Sequence, residues 1–271
     1  MDEPASRPAP RGRPHPAAGQ VRITARDRRL LAFAAEHRLV LAVHVQGLLG
    51  VSLGAARTRL RALTRAGYLR YERKLSGPGC YLIERKGLGA IGSTLPRPRD
   101  LDLACFRHDV GLAWLWLVAR AGAFGTMREV VSERQMRSHD GRTENRDEPL
   151  GVRLPGVGPR GGERRHYPDL LLETATGHRV AVELELTPKS RARREEILGG
   201  YAADARIDAV LYLADRESVR QAIAGSAARL GISSLVHVQR VKFAEPDGAP
   251  SAARAAERAA HRAVAGSERA R

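Results

Sequence analysis

Residues 165–190 read RHYPDLLLETATGHRVAVELELTPKS, and the alternation of apolar and acidic positions within them decides the architecture. YPDLLLE (167–173) and RVAVELEL (179–186) are strand-like runs joined by TATGH, whose Gly177 suits a five-residue hairpin loop. Pairing Glu173 with Arg179 sets Leu171 opposite Ala181 and Asp169 opposite Glu183. Glu185 follows on the same side, because strand side chains alternate with a period of two. Leu170, Leu172, Val180, Val182, Leu184 and Leu186 take the other side. One side is therefore core and the other concentrates acid. Carboxylates facing each other across a sheet cost up to about 1 kcal/mol and call for a counter-charge. Mg2+ suits oxygen ligands from two strands, keeps positions for water and a phosphate oxygen, and is the ion expected if the site hydrolyses phosphodiesters. The alternative left open by the spacing is an amphipathic hairpin whose acidic side is solvated and neutralised by Arg164, Arg165 or Arg179.

The flanking sequence extends the pattern. FRHDVGLAWLWLVARAG (106–122) reads as a buried helix and TMREVVSERQM (126–136) as a strand or short helix. After the hairpin come a polar helix in SRARREEILGGYAADAR, a buried strand in DAVLYLA, a helix in ESVRQAIAGSAARLG and a strand in SSLVHVQRV. The second half thus reads α, β, β, β, α, β, α, β. Residues 138–165, rich in Gly, Pro and charge, read as a long loop; their GPRGGE lacks the Lys-Ser/Thr pair and following helix of a phosphate-cradling loop.

The first half has a different period. Thr24 is an N-cap for ARDRRLLAFAAEHRL, AVHVQGLLG forms a second short helix ending at Gly50, and Ser52 caps LGAARTRLRALTRAG, with Leu53, Ala56, Leu60 and Leu63 inward and Gly67 as the stop. YLRYERKL, the turn SGPG and CYLIE then alternate as a hairpin. Three helices and a hairpin make a winged helix-turn-helix. Its chemistry lies in Arg57, Arg59, Arg61 and Arg65, which suit phosphate and guanine contacts in a major groove, and in Arg70, Arg73 and Lys74 of the wing, which reach the flanking backbone. The bland alternative is that these arginines only solvate an outer face.

Of 271 residues, 43% are hydrophobic, enough for one large domain or two small ones. With 46 Lys and Arg against 30 Asp and Glu, a formal net charge of +16 and a pI near 11.0, polyanions are the expected partners, double-stranded DNA first. The expected organisation is a disordered Pro/Ala/Arg arm (1–20), the winged helix (21–93), a linker (94–104) holding two prolines, an α/β domain (105–242) and a basic Ala/Arg-rich tail (243–271). Cys80 and Cys105 do not make a disulfide framework or a zinc site, the first twenty residues carry no secretory apolar core, and the longest apolar run is broken by Arg120. These features fit a cytoplasmic protein with no membrane partner. No His-x-His stands beside a tyrosine, so strand transfer through tyrosine is disfavoured. Tyr167 and Tyr201 read as packing residues with wet hydroxyls, and His108 as a capping or packing residue.

PD followed by ELE, spaced as P-D-x13-E-x-E on an αβββαβ order, resembles the PD-(D/E)xK nuclease superfamily. Over residues 22–240 the chain also resembles the actinobacterial replication-relaxation family of plasmids and mobile elements, through GYLRYERKL, RHDVGLAWLWL, SERQMR, YPDLLLE and VAVELEL. The resemblance implies DNA transactions in replication or mobilisation with a nuclease-like second half, in association with nucleoid or plasmid; a second copy of the chain, making a homodimer, or replication and mobilisation proteins are the further partners expected. It implies a catalytic set in which Asp169 and Glu183 match the metal-binding acids, Glu133 the upstream acid, and Glu185 the place usually held by lysine. Lys189 would then assist, and Asp169, Glu183 and Glu185 would hold Mg2+. The rival reading is a non-enzymatic DNA-binding accessory or transcription factor on a degenerate nuclease fold.

Overall fold

In the computed structural model, residues 21–73, 78–145, 147–158, 161–244 and 249–250 are described. The arm (1–20), Lys74 of the expected wing, and most of the basic tail lie outside them.

Local chemistry sets the first elements. Thr24 Oγ1 accepts from the Asp27 N–H while the Asp27 carboxylate accepts from the Thr24 N–H at 2.7 Å, starting α1 (Ala25–Glu36) with a reciprocal cap. α1 buries Leu30, Leu31, Phe33, Ala34 and Ala35. β1 (Val40–Leu41) leads into α2 (Ala42–Leu49), which ends at Gly50 in the left-handed region (φ 64°). α3 (Leu53–Arg65) is capped by Ser52 and buries Ala56, Leu60 and Leu63, whereas Leu53, expected inward, is only half-buried. β2 (Leu69–Glu72) and β3 (Cys80–Ile83) form the expected hairpin. β1 adds to its far edge, giving the order β1-β3-β2. A two-residue strand has no period to read, so β1 was not expected. α4 (Arg85–Ala90) follows.

The second half is a five-stranded sheet flanked by helices. α5 (Phe106–Arg120) precedes β4 (Met127–Ser132) and α6 (Glu133–Asp140), so 126–136 holds both a strand and a helix start. β7 (Leu170–Thr174), β8 (Arg179–Glu185), α7 (Arg191–Ala203), β9 (Ala209–Ala214), α8 (Glu217–Arg229) and β10 (Val236–Arg240) complete it in the order β10-β9-β8-β7-β4. β8, β9 and β10 run parallel; β7 is antiparallel to both β8 and β4. The chain is thus a mixed α/β protein with eight α-helices among the described residues. The stretch 138–165 corrects the expected loop: it contains a two-stranded ribbon, β5 (Val152–Val157) and β6 (Glu163–His166), packed on α7. Phe243–Ala244 pairs with Ala249–Pro250, so the expected tail begins with strand.

The hairpin register is the expected one, Glu173 with Arg179 and Leu171 with Ala181. Both faces are covered, however. Leu170, Leu172, Val182 and Leu184 pack with α5 and the N-terminal helices, and this single cluster runs from Leu30 to Val241 across residues 94–104. Leu171, Ala181, Val210 and Tyr212 pack beneath α7 and α8. The acidic side is therefore buried, which removes the solvated-hairpin alternative: a parallel segment with helical crossovers has helices on both faces.

Candidate functional site

Glu183 and Glu185 project from β8 toward α7 and are 3% and 4% exposed. Asp169 precedes β7. Its Oδ2 accepts the Leu184 N–H at 2.7 Å and lies 3.2 Å from His108 Nε2, on the first turn of α5. Glu183 Oε1 meets His166 Nε2 at 2.6 Å and accepts the Tyr201 hydroxyl at 2.5 Å. Burial pushes the Glu183 carboxyl up, but His166, Lys189 and the Tyr201 hydroxyl together hold it below its usual value. Among the described residues, Asp169 Oδ1 and Glu183 Oε2 have no hydrogen-bond donor.

Glu185 differs from the expected third metal ligand. Its Oε1 accepts the Lys189 N–H at 3.1 Å and its Oε2 is ion-paired with the Lys189 ammonium. Burial raises the Glu185 carboxyl, only partly opposed by Lys189. Burial alone would lower the Lys189 ammonium, but Glu183, Glu185 and Asp169 together raise it. Lys189 is thus the common neighbour of all three acids, despite Pro188. Glu133 stands close by, its N–H donating to the Asp169 carbonyl at 3.1 Å. Its carboxylate instead faces Arg38 (3.2 Å) and Arg137 (2.8 Å). Among the described residues, no three His, Cys, Asp or Glu side chains are grouped to hold a metal ion. The counter-charge expected from a cation comes in part from the protein. Burial disfavours the charged His108 ring, yet Asp169 and Asp109 raise its pKa to about 10.

Sequence reasoning gave His108 and Tyr201 only packing or capping roles and gave His166 none. Tyr201, expected wet, is fully buried; Tyr167 packs under the Arg137 guanidinium at 4.4 Å. The only signal was chemical: a buried carboxylate needs donors.

The arginines separate into two groups. Arg57, Arg61, Arg65 and Arg73, with Tyr71 and Tyr81, line a groove of about 540 Å³ between α3 and the β2–β3 hairpin. No carboxylate among the described residues lies within ion-pair distance of these four. Arg59 is committed elsewhere. Its Nε donates to Asp27 Oδ1 at 2.5 Å and its Nη2 to the Arg22 carbonyl at 3.1 Å, tying α3 to the start of α1. At 100° per residue, position 59 lies about 200° from position 57, whereas 57, 61 and 65 drift only about 40° per step. Arg70 is likewise held, by Glu72 (2.9 Å), Glu84 (3.4 Å) and Asp100 (3.0 Å).

A scan against protein-family models matches none of them, and a search of curated proteins finds no similar chain. No described helix is long and apolar enough to cross a membrane.

Proposed function

We propose that this protein binds double-stranded DNA through the α3–hairpin groove, as a winged helix-turn-helix does, and that its α/β half is a PD-(D/E)xK-like, Mg2+-dependent endonuclease serving plasmid or mobile-element replication or mobilisation. The observation that carries the reading is the groove: Arg57, Arg61, Arg65 and Arg73 meet in one cleft without carboxylate partners among the described residues, on a chain of net charge +16. Unneutralised guanidinium groups on a helix face and an adjoining hairpin are what phosphates and guanine edges require.

The acid site supports cleavage through its donor set. Among the described residues, Asp169 and Glu183 each keep one oxygen without a donor, which fits an ion that takes one or two carboxylates and fills its other positions with water and phosphate. Those two residues would hold Mg2+, with Glu185 holding Lys189 in place of acting as a ligand. When bound, the ion would polarise the scissile phosphate and acidify an attacking water. Lys189 sets a positive charge beside the acids, where a phosphodiester needs one. His108 and Lys189 keep the cluster from repelling DNA outright.

The test is incubation of supercoiled plasmid with the full chain, with and without Mg2+, beside Glu183→Ala. Nicking that needs Mg2+ and disappears in the variant is the expected result. The second reading, a non-enzymatic DNA-binding accessory or transcription factor, is favoured by the Lys189–Glu185 pair, which closes the third acid. Equal DNA binding without nicking under any divalent ion establishes it instead.

A further inference from the structure

The β5–β6 ribbon is a pair of strands in the second half that the αβββαβ order does not account for. It ends at His166, whose ring reaches Glu183 and stands edge-on to Tyr201, centroids 5.7 Å apart. The ribbon reaches that place because α7 lets it approach. Gly200, the residue before Tyr201, is buried under it, and a Cβ there would meet Leu154 Cδ2 at 2.7 Å and the Arg153 carbonyl oxygen at 3.0 Å. Val152 and Leu154 are buried at this contact, and Arg164 forks onto Glu196 of α7, with Nη2 to Oε2 at 3.0 Å. One packing contact therefore brings two donors to a single carboxylate oxygen.

We infer that His166, delivered by the β5–β6 ribbon, and Tyr201 are positioning residues. By holding Glu183 Oε1 they orient the carboxylate so that Oε2 serves a divalent cation. The physical reason is entropic. A glutamate has three side-chain torsions, and two donors on one oxygen, His166 Nε2 at 2.6 Å and the Tyr201 hydroxyl at 2.5 Å, remove that freedom. The ribbon would then belong to the acid site without touching DNA or the ion. This inference rests on the proposed metal-dependent reading of the site.

The experiment titrates Mn2+ into the full chain, following the free-ion signal by electron paramagnetic resonance, with Mg2+ as competitor, for Asp169→Asn, Tyr201→Phe, His166→Gln, His166→Ala and Gly200→Val. The native chain is expected to bind Mn2+ and Asp169→Asn to lose it. Tyr201→Phe, which keeps the buried ring, is expected to weaken Mn2+ by about 10-fold or more. Gly200→Val, which alters neither acid, is expected to weaken it by displacing the ribbon. His166→Gln, whose amide still donates, is expected to lose less than His166→Ala. DNA affinity and its salt dependence, measured on the same proteins, are expected to stay unchanged. Native Mn2+ binding with equal affinity in Tyr201→Phe, His166→Ala and Gly200→Val overturns the positioning role and leaves the metal reading standing. No Mn2+ binding by the native chain overturns both.

Discussion

Arg59 and Arg61 are two residues apart and belong to different parts of the molecule. Arg61 faces the groove, whereas Arg59 is the partner of Asp27, a carboxylate 2% exposed. Burial pushes Asp27 up, yet the Arg59 and Thr24 hydrogen bonds outweigh it and hold the group below its usual value. Arg61→Ala or Arg65→Ala is expected to weaken duplex binding across sequences and to reduce the slope of log affinity against log salt by about one unit each. Arg59→Ala is expected to leave that slope and to cost about 2 kcal/mol of stability, because a buried charge loses its partner. Fluorescence anisotropy over a salt series and urea unfolding separate the two effects. His108 adds a pH dependence at the same scale. Its folded pKa, about 10, lies above the unfolded value near 6.5, so its pairing with Asp169 stabilises fully below pH 6.5 and is lost as pH rises toward 10. His108→Phe is expected to flatten that alkaline decline in urea titrations run from pH 6 to 10.

Helix starts were the most legible elements. Thr24, Ser52 and the spacing of leucines and alanines set the starts of α1 and α3, since a cap and a 3.6-residue period are local properties. Thr24→Ala is expected to lower stability by about 1 kcal/mol, with a drop in the thermal midpoint as the check. The β7–β8 register was equally legible, because one residue of slip would set the leucines of one strand on the same face as the acids of the other. The β5–β6 ribbon was not. Its VRLPGV and ERRH segments carry Pro, Gly and charge, and the alternation Val152-Arg153-Leu154 is too short to read as a strand. They become strands because Leu154 and Val152 find α7 at Gly200, a contact about 45 residues away in sequence.

Across the whole molecule, the N-terminal helices and the sheet share one apolar cluster, and two buried histidines stack against its aromatic rings. His37 and His44, on or beside α1 and α2, are buried against Phe33 and against Trp114 and Trp116 of α5; the Phe33 and His37 rings are 4.4 Å apart, and the His44 and Trp114 rings 4.9 Å. Burial drives His37 down to about 3 and His44 well below its ordinary value. The unfolded chain takes up these protons near pH 6.5 and the folded chain does not, so stability is held above pH 6.5 and falls progressively as pH drops toward 3. Urea unfolding between pH 7 and 4 is expected to show that loss, shallower in His37→Leu.

The sequence by itself determined the element order, the caps, the hairpin register and the concentration of acid along one side of it, because each follows from neighbours within a few turns of chain. Only the tertiary structure decided what that acid became. Burying a carboxylate demands donors, and Glu183 draws them from β6 and α7 while Asp169 draws one from α5. Which distant residues meet a given side chain depends on how helices close over both faces of a sheet, a long-range packing outcome that no local period encodes.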